Sequence, residues 1–166
     1  NKLESAVFYF ESVIKSASRS DYDEDALLSL SYCRILLKEP EKSLETLTEL
    51  TRRHTRIKKE SQYRFQMGIT LFDLKRYDEA AIHFDALMAG GEDDKYAVRS
   101  LYWLAECYYN LGKYDDALSA FYKMRRQTQD PNVIERILYG LGWTYFRMGN
   151  FTDSLASFQE LLKFKP

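Results

Sequence analysis

Residues 101–121 read LYWLAECYYNLGKYDDALSAF, and the spacing of their apolar and small residues decides the fold. Leu101, Leu104, Ala105 and Tyr108 recur at helical intervals, as do Ala117 and Phe121 beyond Gly112. This periodicity on both sides of a break predicts a helix, a tight turn and a second helix. Nearly the same pattern returns as Leu138, Leu141, Gly142, Tyr145, Gly149, Ser154 and Phe158, closing on Pro166. Equivalent residues keep a constant interval: Tyr77, Tyr114 and Phe151 stand 37 apart, as do Ala80, Ala117 and Ser154. The chain is built on a repeat.

Upstream, residues 61–97 carry Met67, Gly68, Leu71, Tyr77, Ala80, Phe84 and Leu87 in the same places. Residues 24–60 keep the periodicity through Leu27, Leu30, Ser31, Leu47 and Leu50, but Arg34 stands where a Tyr is expected. Pro40 falls in the turn, where it suits the first position of the second helix because its missing N–H has no partner to lose. In LESAVFYFESVI, residues 3–14, Ala6, Phe10 and Val13 match Ala117, Phe121 and Met124. That segment reads as the second helix of a truncated repeat over 1–20, followed by repeats over 24–60, 61–97, 98–134 and 135–166.

This order of residues resembles the tetratricopeptide (TPR) signature, in which an aromatic or Leu, a Leu, a Gly or Ala and a Tyr precede Ala, Phe and a closing Pro. The resemblance implies an all-α fold, a right-handed helix-turn-helix solenoid of about four and a half repeats forming one superhelical domain over 1–166. A TPR unit is usually about 34 residues, so roughly three extra residues are expected in each connection rather than inside the helices. Ala89-Gly90-Gly91-Glu92 and Thr128-Gln129-Asp130-Pro131 are those connections. The segment YWLAECYYNLGKYDDAL, residues 102–118, is also similar to TPR domains of bacterial envelope proteins such as the periplasmic partner of the Tol–Pal system. That similarity favours a periplasmic or envelope-associated location over a cytoplasmic one.

Composition narrows the function. Hydrophobic residues make up 45% and charged residues 30% of the chain, with a net charge of −1, which fits a soluble folded protein without a global field for nucleic acid or anionic lipid. No apolar run approaches the roughly 18 residues of a membrane helix, so no membrane insertion is expected. Cys33 and Cys107 fall at the same place two repeats apart, too distant to bridge, and are expected to be free. The histidines, His54 and His83, occupy unlike repeat positions. With no phosphate-cradling glycine loop and no metal-spaced Cys/His set, the sequence predicts no catalytic residue, metal or cofactor, and not an enzyme. The basic run Arg52, Arg53, His54, Arg56, Lys58 and Lys59 reads as a solvated helix end. The acidic run Asp21, Asp23, Glu24 and Asp25 reads as capping the next helix, as do Asp93 and Asp94.

In TPR proteins the first helices line a concave groove. Carried over by position, the groove-facing residues are Leu28, Tyr32, Ile35 and Leu36, then Phe65, Gln66, Ile69, Phe72 and Asp73. In the later repeats they are Arg99, Tyr102, Trp103, Glu106, Tyr109 and Asn110, then Arg136, Tyr139, Trp143, Phe146 and Arg147. Of these, Tyr32, Phe65, Ile69, Phe72, Arg99, Tyr102, Trp103, Glu106, Tyr109, Arg136, Tyr139, Trp143, Phe146 and Arg147 form the expected partner-binding set, because aromatic and Arg side chains anchor interfaces. The Lys, Asn and Arg clamp of chaperone-tail-binding TPR domains is not matched, since Leu28 and Tyr32, or Tyr102 and Glu106, stand where it needs Lys and Asn. The expected function is a non-catalytic scaffold in a multiprotein assembly, binding a protein or peptide partner. An apolar helix or aromatic-bearing peptide with some acidic character would meet Arg99, Arg136 and Arg147. The alternative is assembly through the solenoid ends, where the first helix lacks its pair and Leu155, Phe158, Leu161, Leu162 and Phe164 lack a polar cap helix. Those ends imply either a domain excised from a longer chain or a homo-oligomer.

Gly68, Ala105 and Gly142 face Ala80, Ala117 and Ser154 so that Phe84, Phe121 and Phe158 can fill the space between paired helices. Phe121→Ala is therefore expected to cost about 3–5 kcal/mol. A melting temperature within about two degrees of wild type would refute this register.

Overall fold

The computed structural model describes residues 2–16, 22–88 and 96–163. They form nine helices and no strand: α1 (Lys2–Ser16), α2 (Asp23–Leu36), α3 (Pro40–Arg53), α4 (Glu60–Asp73), α5 (Tyr77–Met88), α6 (Ala97–Asn110), α7 (Tyr114–Gln127), α8 (Pro131–Arg147) and α9 (Phe151–Lys163). The fold is all-α, as the periodicity requires. Two compact units divide the chain, residues 1–83 and 84–166, with the boundary inside α5. In the first, α2 packs on α1, α3 and α4, and α3 on α4; in the second, α8 packs on α6, α7 and α9, and α6 on α7.

The period is visible in the helix starts. Pro40, Tyr77, Tyr114 and Phe151 open α3, α5, α7 and α9 at intervals of 37, as Asp23, Glu60 and Ala97 open α2, α4 and α6. α8 breaks step by beginning about one turn early, at Pro131, so the extra residues of that repeat lie inside the helix and not, as expected, in the connection. Asp130 at its N-cap accepts a hydrogen bond from the Asn132 amide at 2.9 Å, and Pro131 takes the first helical position, so local capping chemistry extends that helix.

Each hairpin turn needs one left-handed residue. Lys38, Lys75, Gly112 and Gly149 have φ of 59°, 62°, 73° and 77°, and they stand 37 apart. One residue further on, the amides of Glu39, Arg76, Lys113 and Asn150 reach back to the carbonyls of Arg34, Leu71, Tyr108 and Tyr145 at 2.9–3.0 Å. This closes the helix end with carbonyls that would otherwise lack a partner. Glycine meets the requirement without strain, whereas lysine meets it against the clash of its Cβ.

Inside the second unit, Phe121 is buried with Leu101, Ala105, Ala117, Met124, Ile137 and Leu141. At two places a hydroxyl joins the small-residue contact between helices. Ser154 donates to the Gly142 carbonyl at 2.9 Å. In the first unit Ser43 shares hydrogen bonds with Ser31 at 3.1 Å and Thr70 at 2.8 Å. Hydroxyls there take the place of bare van der Waals contact, which is how the repeat over 24–60 departs from the pattern yet stays packed. Arg34 ties that repeat together and to the one before it, because its guanidinium donates to the Lys42 carbonyl and Thr46 and to Glu11 on α1. Cys33 and Cys107 are buried and free, and burial pushes the Cys107 thiol up to about 12 and raises that of Cys33.

The acidic run differs from its expected role, and the basic run keeps its solvated helix end except at Arg53 and His54. Asp23 and Glu24 open α2, whose N-cap, Tyr22, makes no side-chain hydrogen bond. Both carboxylates are buried and serve other helices. Asp23 receives Arg53 at 2.9 Å and lies 3.1 Å from His54 Nε2. Glu24 accepts from the Lys58 and Lys59 amides at 3.1 and 2.7 Å and so holds the turn that leads into α4. The basic run is thus partly turned inward, where a buried carboxylate needs compensation. Asp21, Asp93, Asp94, the Ala89–Glu92 connection, Phe164 and Pro166 lie outside the described residues.

Lys75→Gly is expected to raise stability by about 1 kcal/mol in urea denaturation, the relieved left-handed strain exceeding the added chain entropy. Gly112→Ala should lose a similar amount, because a Cβ there meets nothing within 4 Å and only the backbone resists it. The opposite sign at either position would contradict this account of the turns.

Candidate functional site

The expected partner-facing residues divide between the units. On the first, Tyr32 is exposed, Phe72 is half-buried with its ring edge-on to Tyr77 at 5.1 Å, and Phe65 and Ile69 are buried. Leu28 and Gln66 are buried as well, so α2 and α4 turn much of this set inward. On the second unit the pattern opens out. From α6, Arg99 is exposed and Tyr102, Trp103, Glu106 and Tyr109 are half-buried; from α8, Arg136, Tyr139, Trp143, Phe146 and Arg147 are all exposed.

Trp143 holds that face together. Its ring meets Tyr139, Phe146 and Phe158 edge-on at 6.2, 5.7 and 5.8 Å. Phe146 continues to Phe151 at 5.5 Å. These T-shaped contacts are the preferred geometry of aromatic quadrupoles and stiffen side chains that remain open to solvent. Trp143 keeps 40% of its surface and Tyr139 keeps 55%, which is enough to contact a ligand.

Between α6 and α8 lies a recess of about 350 Å³ lined by Glu106, Tyr109, Phe121, Tyr139, Gly140 and Trp143. Its floor differs from the equivalent place one repeat earlier. One repeat earlier, Trp103 stacks on Phe84 with 6.4 Å between centroids and 15° between planes. The residue 37 positions after Trp103 is Gly140, so Phe121 meets the α8 backbone in place of an indole. The fit is close: a Cβ on Gly140 would stand 2.3 Å from the Phe121 ring.

The electrostatics of this face are also specific. Burial raises the Glu106 carboxyl above its ordinary value, against the opposing effects of a hydrogen bond from Tyr102 and the charge of Arg136. Arg136 sits 4.0 Å over the Tyr102 ring, a cation–π contact. Arg147 donates through Nε to the Tyr114 hydroxyl at 3.2 Å and lies 6.0 Å from that ring. Both guanidinium groups therefore have partners within the unit. Neither lines the recess, whose one charged residue is Glu106.

Glu106, Tyr109, Tyr139 and Trp143 are thus the residues of the expected set that the structure brings around one cavity. Gly140, Phe121 and Tyr114 complete the face and were not foreseen as part of it. The signal for Gly140 was present in the period, because it replaces the aromatic Trp103. Among the described residues no cluster of His, Cys, Asp and Glu could hold a metal ion, and no helix is long and apolar enough to cross a membrane.

Residues 96–166 match the family model described as Tetratricopeptide repeat, and residues 1–87 match the model of Anaphase-promoting complex, cyclosome, subunit 3. Solved structures with the same fold include MamA from Desulfovibrio magneticus RS-1, 14% identical with a TM-score of 0.79 over 98% of this chain and 85% of that one. Another MamA structure is 18% identical with a TM-score of 0.78, covering 98% of this chain and 88% of its own. YrrB, described as a TPR protein with an unusual peptide-binding site, is 19% identical with a TM-score of 0.78 over 100% of this chain and 79% of that one. No curated protein matches the sequence.

Gly140→Ala is expected to destabilise the protein by about 1–3 kcal/mol through overpacking against Phe121. Thermal and urea denaturation would measure it, and a neutral outcome would mean that Phe121 yields freely.

Proposed function

Because the chain belongs to the tetratricopeptide-repeat proteins, we propose that it is a non-catalytic protein-interaction scaffold that binds a partner peptide or helix on the aromatic face of its second unit. The observation that carries this reading is the recess between α6 and α8, where rings held by their neighbours stay exposed around a preformed cavity. Preformed aromatic surface gives contact area without much ordering cost on binding, which is what an interface anchor requires. The peptide-binding site described for YrrB supports the ligand class. A place in a multiprotein assembly, associated with a bacterial envelope, rests on the sequence similarity of residues 102–118 and is part of the proposal.

A second reading has its own observation. Phe8 and Tyr9 on α1 and Phe151, Leu155 and Leu162 on α9 are all more than half exposed, and such apolar helix faces suit self-association. The match of residues 1–87 to a model named for a complex subunit agrees with an assembly role.

A Tyr139→Ala/Trp143→Ala double variant, matched to wild type in thermal stability, distinguishes the two. Affinity capture from the native cell followed by mass spectrometry is expected to lose a partner with the double variant while the oligomeric mass stays unchanged. If every partner persists and the mass in light scattering rises with concentration, the second reading replaces the first.

A further inference from the structure

We infer that the recess between α6 and α8 is a receptor for one basic side chain, an arginine or lysine of the partner, inserted between aromatic rings with its cation directed at Glu106. The inference rests on the aromatic-face reading above and names the chemistry it recognises.

The argument begins with what lines the space. Tyr109, Tyr139 and Trp143 supply ring surface and Phe121 with Gly140 the apolar floor. Such a cavity takes an aliphatic stem well, and ring faces attract a cation at its tip. Glu106 is the single charged residue of the lining, and it is only half exposed. A carboxylate at an aromatic recess is costly to desolvate unless something pairs with it. Its present partners do not offset that burial, since the carboxyl is held above its ordinary value despite Tyr102 and Arg136. A ligand cation would supply what is missing and bring the carboxyl back down, with a charge-assisted hydrogen bond if the ligand is arginine.

The neighbouring cations sharpen the choice. Arg136 rests on the Tyr102 ring and Arg147 on Tyr114, so each is drawn to an aromatic partner outside the lining. An acidic ligand side chain entering the recess would meet Glu106 first. A purely apolar one would bury that carboxylate further without pairing it. Charge complementarity therefore favours a basic residue, with apolar residues beside it to cover Trp143 and Phe146.

A random dodecapeptide display library panned on the whole protein tests this without requiring a known partner. Enrichment of peptides with an arginine or lysine flanked by apolar residues is the expected result. For the best such peptide, replacing the basic residue by glutamine should weaken binding to wild type at least about tenfold. Against Glu106→Gln the same replacement should matter less than about threefold, because the charge it answers is gone. Enriched peptides that are apolar or acidic, yet lost on the Tyr139→Ala/Trp143→Ala variant, would overturn the inference and leave the aromatic-face reading standing. No enrichment, or enrichment indifferent to that double variant, would overturn both. The library result on wild type decides the matter even if Glu106→Gln does not fold.

Discussion

A phenylalanine ring lying against a residue with little or no side chain sets the distance between helices in the second unit. Phe121 touches Gly140 and Phe158 touches Gly142 so closely that a Cβ at either glycine would fall within 2.3–2.6 Å of the ring. Interiors are packed too tightly to absorb such an overlap without moving a helix. The two glycines therefore permit α8 to approach both α7 and α9. That approach carries Tyr139 and Trp143, on the same helix, to the mouth of the space beside Phe121. Packing and site are one arrangement: the contact that stabilises the repeat also determines which rings surround the recess.

The repeat was legible in the sequence because period and helical spacing are local properties that survive without knowledge of neighbours. The 37-residue interval anticipated the openings of α3, α5, α7 and α9, and Pro40 and Pro131 announced helix starts through their missing amides. Less legible was anything decided across the chain. Asp23 and Glu24 look like caps for α2, but the donors that claim them stand some thirty residues later. Lys38 and Lys75 give no hint of left-handed backbone, since only their alignment with Gly112 and Gly149 exposes the requirement. The aromatic face was visible as a set of residue types on α6 and α8. Which members would surround a cavity depended on how closely α8 meets Phe121 at Gly140, and periodicity marks that position without saying what stands opposite.

Enclosed and half-enclosed acids make a useful contrast. Asp23 is fully enclosed, yet a guanidinium and an imidazole face it, and Glu24 is answered by two backbone amides. Their lone pairs have donors, as a buried carboxylate requires. Glu106 has a tyrosine hydroxyl, while the nearest arginine is spread over a ring. The fold supplies full sets of donors to Asp23 and Glu24, whereas at Glu106 burial outweighs the partners it has.

The Glu24 contact bears on how the first unit comes together as well as on how it stands. A helix start ordinarily finds its side-chain partner at its own N-cap. The turn into α4 instead gives its Lys58 and Lys59 amides to a carboxylate 34 and 35 residues earlier. That contact closes only when two distant stretches of the first unit have met. Order at the entry to α4 is therefore a readout of the docking of α2, a long-range event, and not of the local sequence.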